Sequence, residues 1–265
     1  MYSKSQLAIK WFQYYIRAYS GSGHGIHSPF VYELVREVFN DEREYYAYKL
    51  IETVKKNLLD DNRILEVDDP GAGSRKKGRT SKKLGVIVRT SVSEQKFGRL
   101  LFRLANFYHA KQIIELGTSV GISASYLASA DPQSRVVTAE GSSAIAKIAT
   151  ETFQKLKLDN IIQVTGNFDE VLPNMIISHP PADLIFIDGN HRKKPLLDYF
   201  EKCIQKISAS AMIIIHDIHW SREMEEAWDI IQQDPRVKMS IDIFSAGLVF
   251  FREEFLIKQQ FIVRF

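Results

Sequence analysis

The chain has 265 residues, 45% of them hydrophobic, enough for one α/β domain with a sizeable core plus an appendage. A single cysteine, Cys203, excludes an intramolecular disulfide framework, no apolar run approaches a membrane span, and the N-terminus lacks the apolar core of an export signal. A cytoplasmic protein is expected. The net charge of +3 is local: Arg75, Lys76, Lys77, Arg79, Lys82 and Lys83 cluster together, and without these six the chain carries −3, which argues against a general affinity for nucleic acid.

Residues 1–60 read as a helical region. Leu7, Trp11, Tyr14, Tyr15 and Ala18 recur at helical spacing. Ser28 followed by Pro29 marks a second helix start, a side-chain cap before a ring already fixed at helical φ. Val31, Leu34, Val35 and Val38 form its stripe, and a third pattern runs from Tyr45 to Leu59. The region is rich in Tyr, Phe and Trp, which serve either as packing among short helices or as an aromatic wall for a substrate. Its apolar stripes need a partner, either the following domain or a second copy in a homodimer. Residues 61–84 contain Gly, Pro, Ser and charge without apolar periodicity, the composition of a linker or lid.

From residue 85 to 265 the pattern changes. Leu100, Leu101, Leu104 and Phe107 share a helix face. Short β-branched apolar runs then alternate with helical patterns: Ile113–Leu116, Val136–Ala139, Ile161–Val164, Leu184–Ile187 and Met212–Ile215 between Ile122–Ala130, Ala144–Leu156, Pro195–Ile207 and Arg222–Gln233. Strands apolar on both faces predict a parallel, Rossmann-like sheet covered on both sides. Val237–Phe244 and Leu248–Phe251 flank a turn at Ser245–Gly247, and "QQFIVRF" ends the chain, so an antiparallel C-terminal edge is expected.

Ligands of such sheets bind beyond the carboxyl ends of the strands. Those ends carry Glu115 and Gly117, Glu140 and Gly141, Gly166 and Asn167, Asp188 to His191, and His216 with Asp217. So many acids argue against a polyphosphate, and no GxxxxGK[ST] lysine is present. Gly117 and Gly121 are spaced G-x-x-x-G rather than as a dinucleotide fingerprint. Glu140 is placed for a ribose diol. A nucleoside with a cationic tail and no phosphate fits: S-adenosylmethionine.

The ordered segments "IIELGTSVGISASYLA", "VVTAEGSS", "GNFDEVLP", "ADLIFIDGNH" and "IIIHDIHW" resemble the successive motifs of class I S-adenosylmethionine-dependent methyltransferases. They are most similar to the small-molecule O-methyltransferase branch, with its catechol and caffeoyl-CoA enzymes and IDG-x-H relatives. The resemblance covers residues 85–265 and implies the class I methyltransferase fold. It implies that Glu115, Gly117, Ser119 and Gly121 surround the methionine part and ribose. It places Glu140 on the ribose hydroxyls beside Gly141 and Ser142, Asn167 and Phe168 at the adenine, Ser91 and Val92 at the methionine end, and Asp188 at the cofactor's border.

Methyl transfer also needs the acceptor's proton removed. Asp188, His191 and Asp217 are the catalytic candidates, with His191 as base; its alternative reading is a helix cap. Relatives that use Mg²⁺ hold it with carboxylates at the positions of Asp188 and Asp217, usually followed by Asn or Asp. Here Ile218 follows, which cannot bind metal; His216 or His191 would have to compensate, but Mg²⁺ prefers oxygen ligands, so any Mg²⁺ is expected to be held weakly. His216 and His219 flank Asp217 with either a functional or a structural role, and Trp220 either walls the acceptor site or packs on the sheet. His24 and His27 in "GSGHGIHSPF" read as turn residues or as groups reaching over the site, and Cys203 reads as packing. The expected activity is O-methylation of a small or medium-sized acceptor. The sequence also leaves open a nucleic-acid methyltransferase, with the basic stretch on phosphates, and a non-catalytic nucleoside-binding module.

Overall fold

The computed structural model describes residues 1–68 and 79–265. The glycine-rich centre of the expected linker or lid lies outside the described residues. A capping box opens helix α1 (Lys4–Arg17): the Ser3 hydroxyl accepts from the Gln6 N–H and the Gln6 side chain accepts from the Ser3 N–H. Helix α2 (Pro29–Leu34) follows Ser28, whose hydroxyl accepts from the Val31 N–H, with proline at its first position as the sequence predicts; it continues as a π-turn over Val35–Phe39. Then come α3 (Tyr46–Leu59), β1 (Ile64–Asp68), β2 (Arg79–Lys83), α4 (Leu84–Ser91) and α5 (Gln95–Phe107). The alternating part comprises β3 (Gln112–Leu116), α6 (Ile122–Ser129), β4 (Arg135–Glu140), α7 (Ser143–Leu156), β5 (Ile161–Thr165), α8 (Phe168–Ile177), β6 (Ala182–Ile187), α9 (Lys193–Cys203), β7 (Ile207–His216) and α10 (Arg222–Gln233). The chain closes with β8 (Met239–Asp242), β9 (Ala246–Phe250) and β10 (Gln259–Ile262).

Two compact units result, one from Glu42–Pro180 and one from Met1–Asp41 with Pro181–Phe265. The residues read as a single N-terminal helical region are therefore divided between them. In the first unit β3, β4 and β5 pair parallel in that order. Tyr48, Leu84, Val88, Phe102 and Tyr126 form a buried cluster among α3, α4, α5 and α6. β1 and β2 pair antiparallel at the two ends of the segment read as a linker. Neither β2 nor α8 stands out by pattern: "RTSKK" has no apolar alternation, and α8 carries Pro173 inside it.

In the second unit the order is β6-β7-β9-β8-β10. β6 and β7 are parallel and buried on both faces at Leu184–Ile187 and Ala211–Ile215. The expected C-terminal hairpin is β8–β9, and β9 is antiparallel to both β7 and β8. "QQFIVRF" supplies β10, which pairs parallel to β8 outside the hairpin. Helix α1 is tied to this end of the chain, since the Tyr14 hydroxyl donates to the Val263 carbonyl and Tyr19 bridges to Val263. The N-terminal aromatics divide: Tyr14, Phe39 and Tyr48 are buried, whereas Trp11 and Phe12 are 48% and 58% exposed. Among the described residues no helix is long and apolar enough to cross a membrane.

Candidate active site

The turn after β3 is built by backbone conformations that few side chains permit. Gly117 has φ 110°, Ser119 φ 48° and Gly121 φ 87°, the last as N-cap of α6. The Gly117 and Thr118 N–H groups both donate to the Ala139 carbonyl at 3.0 Å, which fastens the turn to β4. A Cβ at Gly121 would stand 2.7 Å from Cε1 of Phe153 and 3.2 Å from Cα of Ala149. Glycine thus lets α6 pack closely on α7.

Glu140 closes β4, and its two oxygens accept from the Ser119 and Ser142 N–H groups, each at 2.9 Å. One carboxylate therefore braces both the glycine turn and the Gly141–Ser142 corner. The Ser91 hydroxyl donates to the Ile87 carbonyl at 2.8 Å, so the Ser119 hydroxyl is the donor in the 2.9 Å bond between the two serines. Val92 follows, half-buried, at the end of α4. Beyond β5, Asn167 caps α8 by accepting from the Asp169 N–H at 3.1 Å, with half-buried Phe168 beside it. These predicted cofactor residues gather at the carboxyl ends of β3, β4 and β5. Glu115 differs from its expectation of direct approach to the ligand. It has no exposed surface, and its Oε2 accepts from the Thr138 hydroxyl, which bonds in turn to Thr118, both at 2.5 Å. Both faces of β3 are covered, so this carboxylate supports the turn from beneath.

A second cluster stands at the ends of β6 and β7. The parallel register Ile187↔Ile215 brings Asp188 beside His216. Asp188 Oδ1 lies 2.9 Å from His216 Nδ1 and 3.3 Å from His191 Nε2. Asp217 Oδ2 lies 3.7 Å and 3.9 Å from the same two imidazole nitrogens. Asp217 takes the left-handed conformation, φ 57°, and its N–H donates to the Ser245 carbonyl at 2.7 Å. The predicted trio of Asp188, His191 and Asp217 thus converges, and His216 joins it.

Burial opposes charge on Asp188, but His216 and His191 outweigh it and hold the carboxyl well below the usual carboxylate range. Burial likewise opposes the imidazolium of His216, yet Asp188 and Asp217 push it up to about 9. His191 is raised for the same reason, burial being overcome by its bond to Asp188. Burial raises Asp217, and the two histidines offset this only in part. At neutral pH the cluster holds an Asp188–His216 ion pair.

The neighbouring groups have other partners. His219 bridges Glu225 at 2.9 Å and Asp242 at 2.8 Å and stacks on Phe244, so it braces the loop after β7. Tyr2 and Lys10 also bond Glu225, at 2.7 and 2.8 Å, which ties the start of the chain to α10. Trp220 stands 6.4 Å from the His191 ring, between centroids. His24 and His27 remain exposed in their turn, His24 bonding the Ser22 hydroxyl. Cys203 is buried. Ile218 is fully buried and offers no donor.

The comparisons agree with this geometry. Residues 74–252 match the O-methyltransferase family. A catechol O-methyltransferase of Niastella koreensis is 32% identical over 123 residues, 45% of this chain and 54% of the relative. One of Mycobacterium tuberculosis is 32% identical over 134 residues, 50% of this chain and 59% of the relative, so the chain spans little more than half the length of either. The crystal structure of the O-methyltransferase TomG from Streptomyces achromogenes, in complex with SAM, superposes with TM-score 0.57 at 18% identity, over 84% of this chain and 95% of that one, and shares the fold. The family match runs through both the glycine turn and the acid–histidine cluster, and the chain belongs to the O-methyltransferase family.

Proposed function

We propose that the protein transfers the methyl group of S-adenosylmethionine to a hydroxyl oxygen of a small or medium-sized acceptor. The observation that carries this reading is the glycine turn locked to Glu140, a strand-end cradle with an acid and no phosphate-binding lysine. The relatives named catechol O-methyltransferase, and a neighbour of the same fold in complex with SAM, support it. Glu140 would hold the ribose diol, Asn167 and Phe168 the adenine, and Ser91, Val92, Gly117 and Ser119 the methionine end. A cytoplasmic enzyme acting on a diffusible acceptor fits the single buried thiol.

In the reaction the acceptor oxygen attacks the methyl carbon in line with the departing sulfur. The O–C bond forms, the S–C bond breaks, and its electron pair stays on sulfur as S-adenosylhomocysteine. Holding oxygen against methyl provides much of the acceleration. The hydroxyl proton passes to His191, which Asp188 orients through their hydrogen bond.

Calorimetry with S-adenosylhomocysteine and with NAD tests the cradle, and transfer of labelled methyl from S-adenosylmethionine to catechol-type acceptors tests the chemistry. Tight binding of S-adenosylhomocysteine alone is expected. Binding of NAD in its place would overturn the reading.

A further inference from the structure

The Mg²⁺ site implied by resemblance to the catechol enzymes does not fit this chain. Mg²⁺ demands near-octahedral oxygen coordination. Ile218, in the position where such relatives usually carry an oxygen donor, is fully buried in the core. What converges at the ends of β6 and β7 is instead one carboxylate oxygen and two imidazole nitrogens. Asp188 Oδ1, His191 Nε2 and His216 Nδ1 all lie within 4.8 Å of one another. A tetrahedral ion with ligands at 2.0–2.1 Å has ligand atoms about 3.3–3.4 Å apart. The carboxylate-to-imidazole distances here are 2.9 and 3.3 Å. Asp217 Oδ2 lies 3.7 and 3.9 Å from the two nitrogens but falls outside this set of three donors.

The donors, moreover, are already held. Asp188 and His216 occupy adjacent strand ends in fixed register, and the Asp217 backbone is anchored to Ser245. All three ligand side chains keep some access to solvent, 14% for Asp188, 26% for His191 and 13% for His216, so an ion can enter.

We infer that this cluster is a transition-metal site, selective for Zn²⁺ over Mg²⁺, with Asp188, His191 and His216 as ligands. Mixed imidazole and carboxylate donors suit zinc and its first-row neighbours. Two histidines, one acid and an open position form the pattern of a zinc centre that can take water or an acceptor oxygen. The inference deepens the proposed O-methyltransferase reading and rests on it.

The test uses full-length protein stripped with EDTA and dialysed. Calorimetry with ZnCl₂ should show one site, at least about 100-fold tighter than with MgCl₂, the donor-type preference expected for imidazole ligands. CoCl₂ should give the intense visible absorption of low-coordinate cobalt. H191Q and H216Q should each weaken Zn²⁺ binding by more than about tenfold and lose the cobalt spectrum, whereas H24Q, a surface control, should leave both unchanged. Circular dichroism and S-adenosylhomocysteine binding of the same samples check that the variants are folded. Zn²⁺ binding no tighter than Mg²⁺, or Zn²⁺ binding that survives both substitutions in folded protein, overturns the inference. If S-adenosylhomocysteine binds normally in those samples, the methyltransferase reading stands without the metal; if it does not bind, the cradle has failed independently.

Discussion

Replacing Gly121 by alanine perturbs two things that the structure separates. At φ 87° a β-carbon is strained by about 1–2 kcal/mol relative to glycine. The same carbon would stand 2.7 Å from the Phe153 ring and 3.2 Å from the Ala149 backbone, where only the ring can yield. Overpacking of this kind costs about 1–3 kcal/mol. Together G121A should destabilise the protein by about 2–5 kcal/mol, a melting-temperature drop of about 4–20 °C for a chain of this size. Urea titration of wild type, G121A, F153L and the double variant measures the effect as a thermodynamic cycle. Because leucine removes the ring atoms that the new methyl meets, the double variant should be more stable than the sum of the single effects by about 1–2 kcal/mol, with the backbone strain remaining. An alanine variant melting within about 1 °C of wild type would refute the reasoning on both counts. Additive single effects would refute the steric half.

E140A should weaken S-adenosylhomocysteine binding by about 10–150-fold in calorimetry, the value of hydrogen bonds to a charged acceptor, and should also loosen Ser119 and Ser142. H191A should lower turnover by about 10²–10⁴-fold once an acceptor is in hand, whether the imidazole takes the proton itself or holds the ion that acidifies the hydroxyl; cofactor affinity should be unchanged. A fully active H191A would remove His191 from the chemistry. Glu225 supplies a pH prediction. Burial opposes its charge, but Lys10, Tyr2 and His219 hold its carboxyl below the usual value. Its folded pKa is therefore depressed, so its contribution is present above the unfolded pKa of about 4.3 and is lost as pH falls through the folded value. Wild type should melt several degrees above E225Q at pH 7, and the gap should close in acid below that window. A gap that is unchanged at pH 3 would contradict the assignment.

The parallel strands were legible because β3, β4, β6 and β7 carry apolar residues on both faces. The glycine turn and Glu140 were legible because strand-end acids and glycines have few other uses. The rest depended on pairing, which local pattern does not encode. His216 becomes a partner of Asp188 only once β6 and β7 are in register through Ile187 and Ile215. Glu115 reads as an acid at the mouth of the turn, yet Thr138, 23 positions away, turns it into a buried brace. Nor does sequence order show that β9 inserts between β7 and β8, or that β10 adds parallel to β8.

Because one compact unit is made from both ends of the chain, synthesis imposes an order on its assembly. Residues 1–41 are synthesised well before the rest of their unit, which begins at Pro181. At translation rates of roughly 5–20 residues per second, the intervening stretch of about 140 residues delays that remainder by roughly 7–28 seconds. During that interval Tyr14, buried in the finished protein, lacks its ring contact with Phe244 and its hydrogen bond to Val263. Glu42–Pro180, by contrast, is continuous and needs nothing synthesised later to pair β3, β4 and β5. The residues of the proposed nucleoside cradle, ending at Phe168, are all synthesised before the ribosome reaches Asp188.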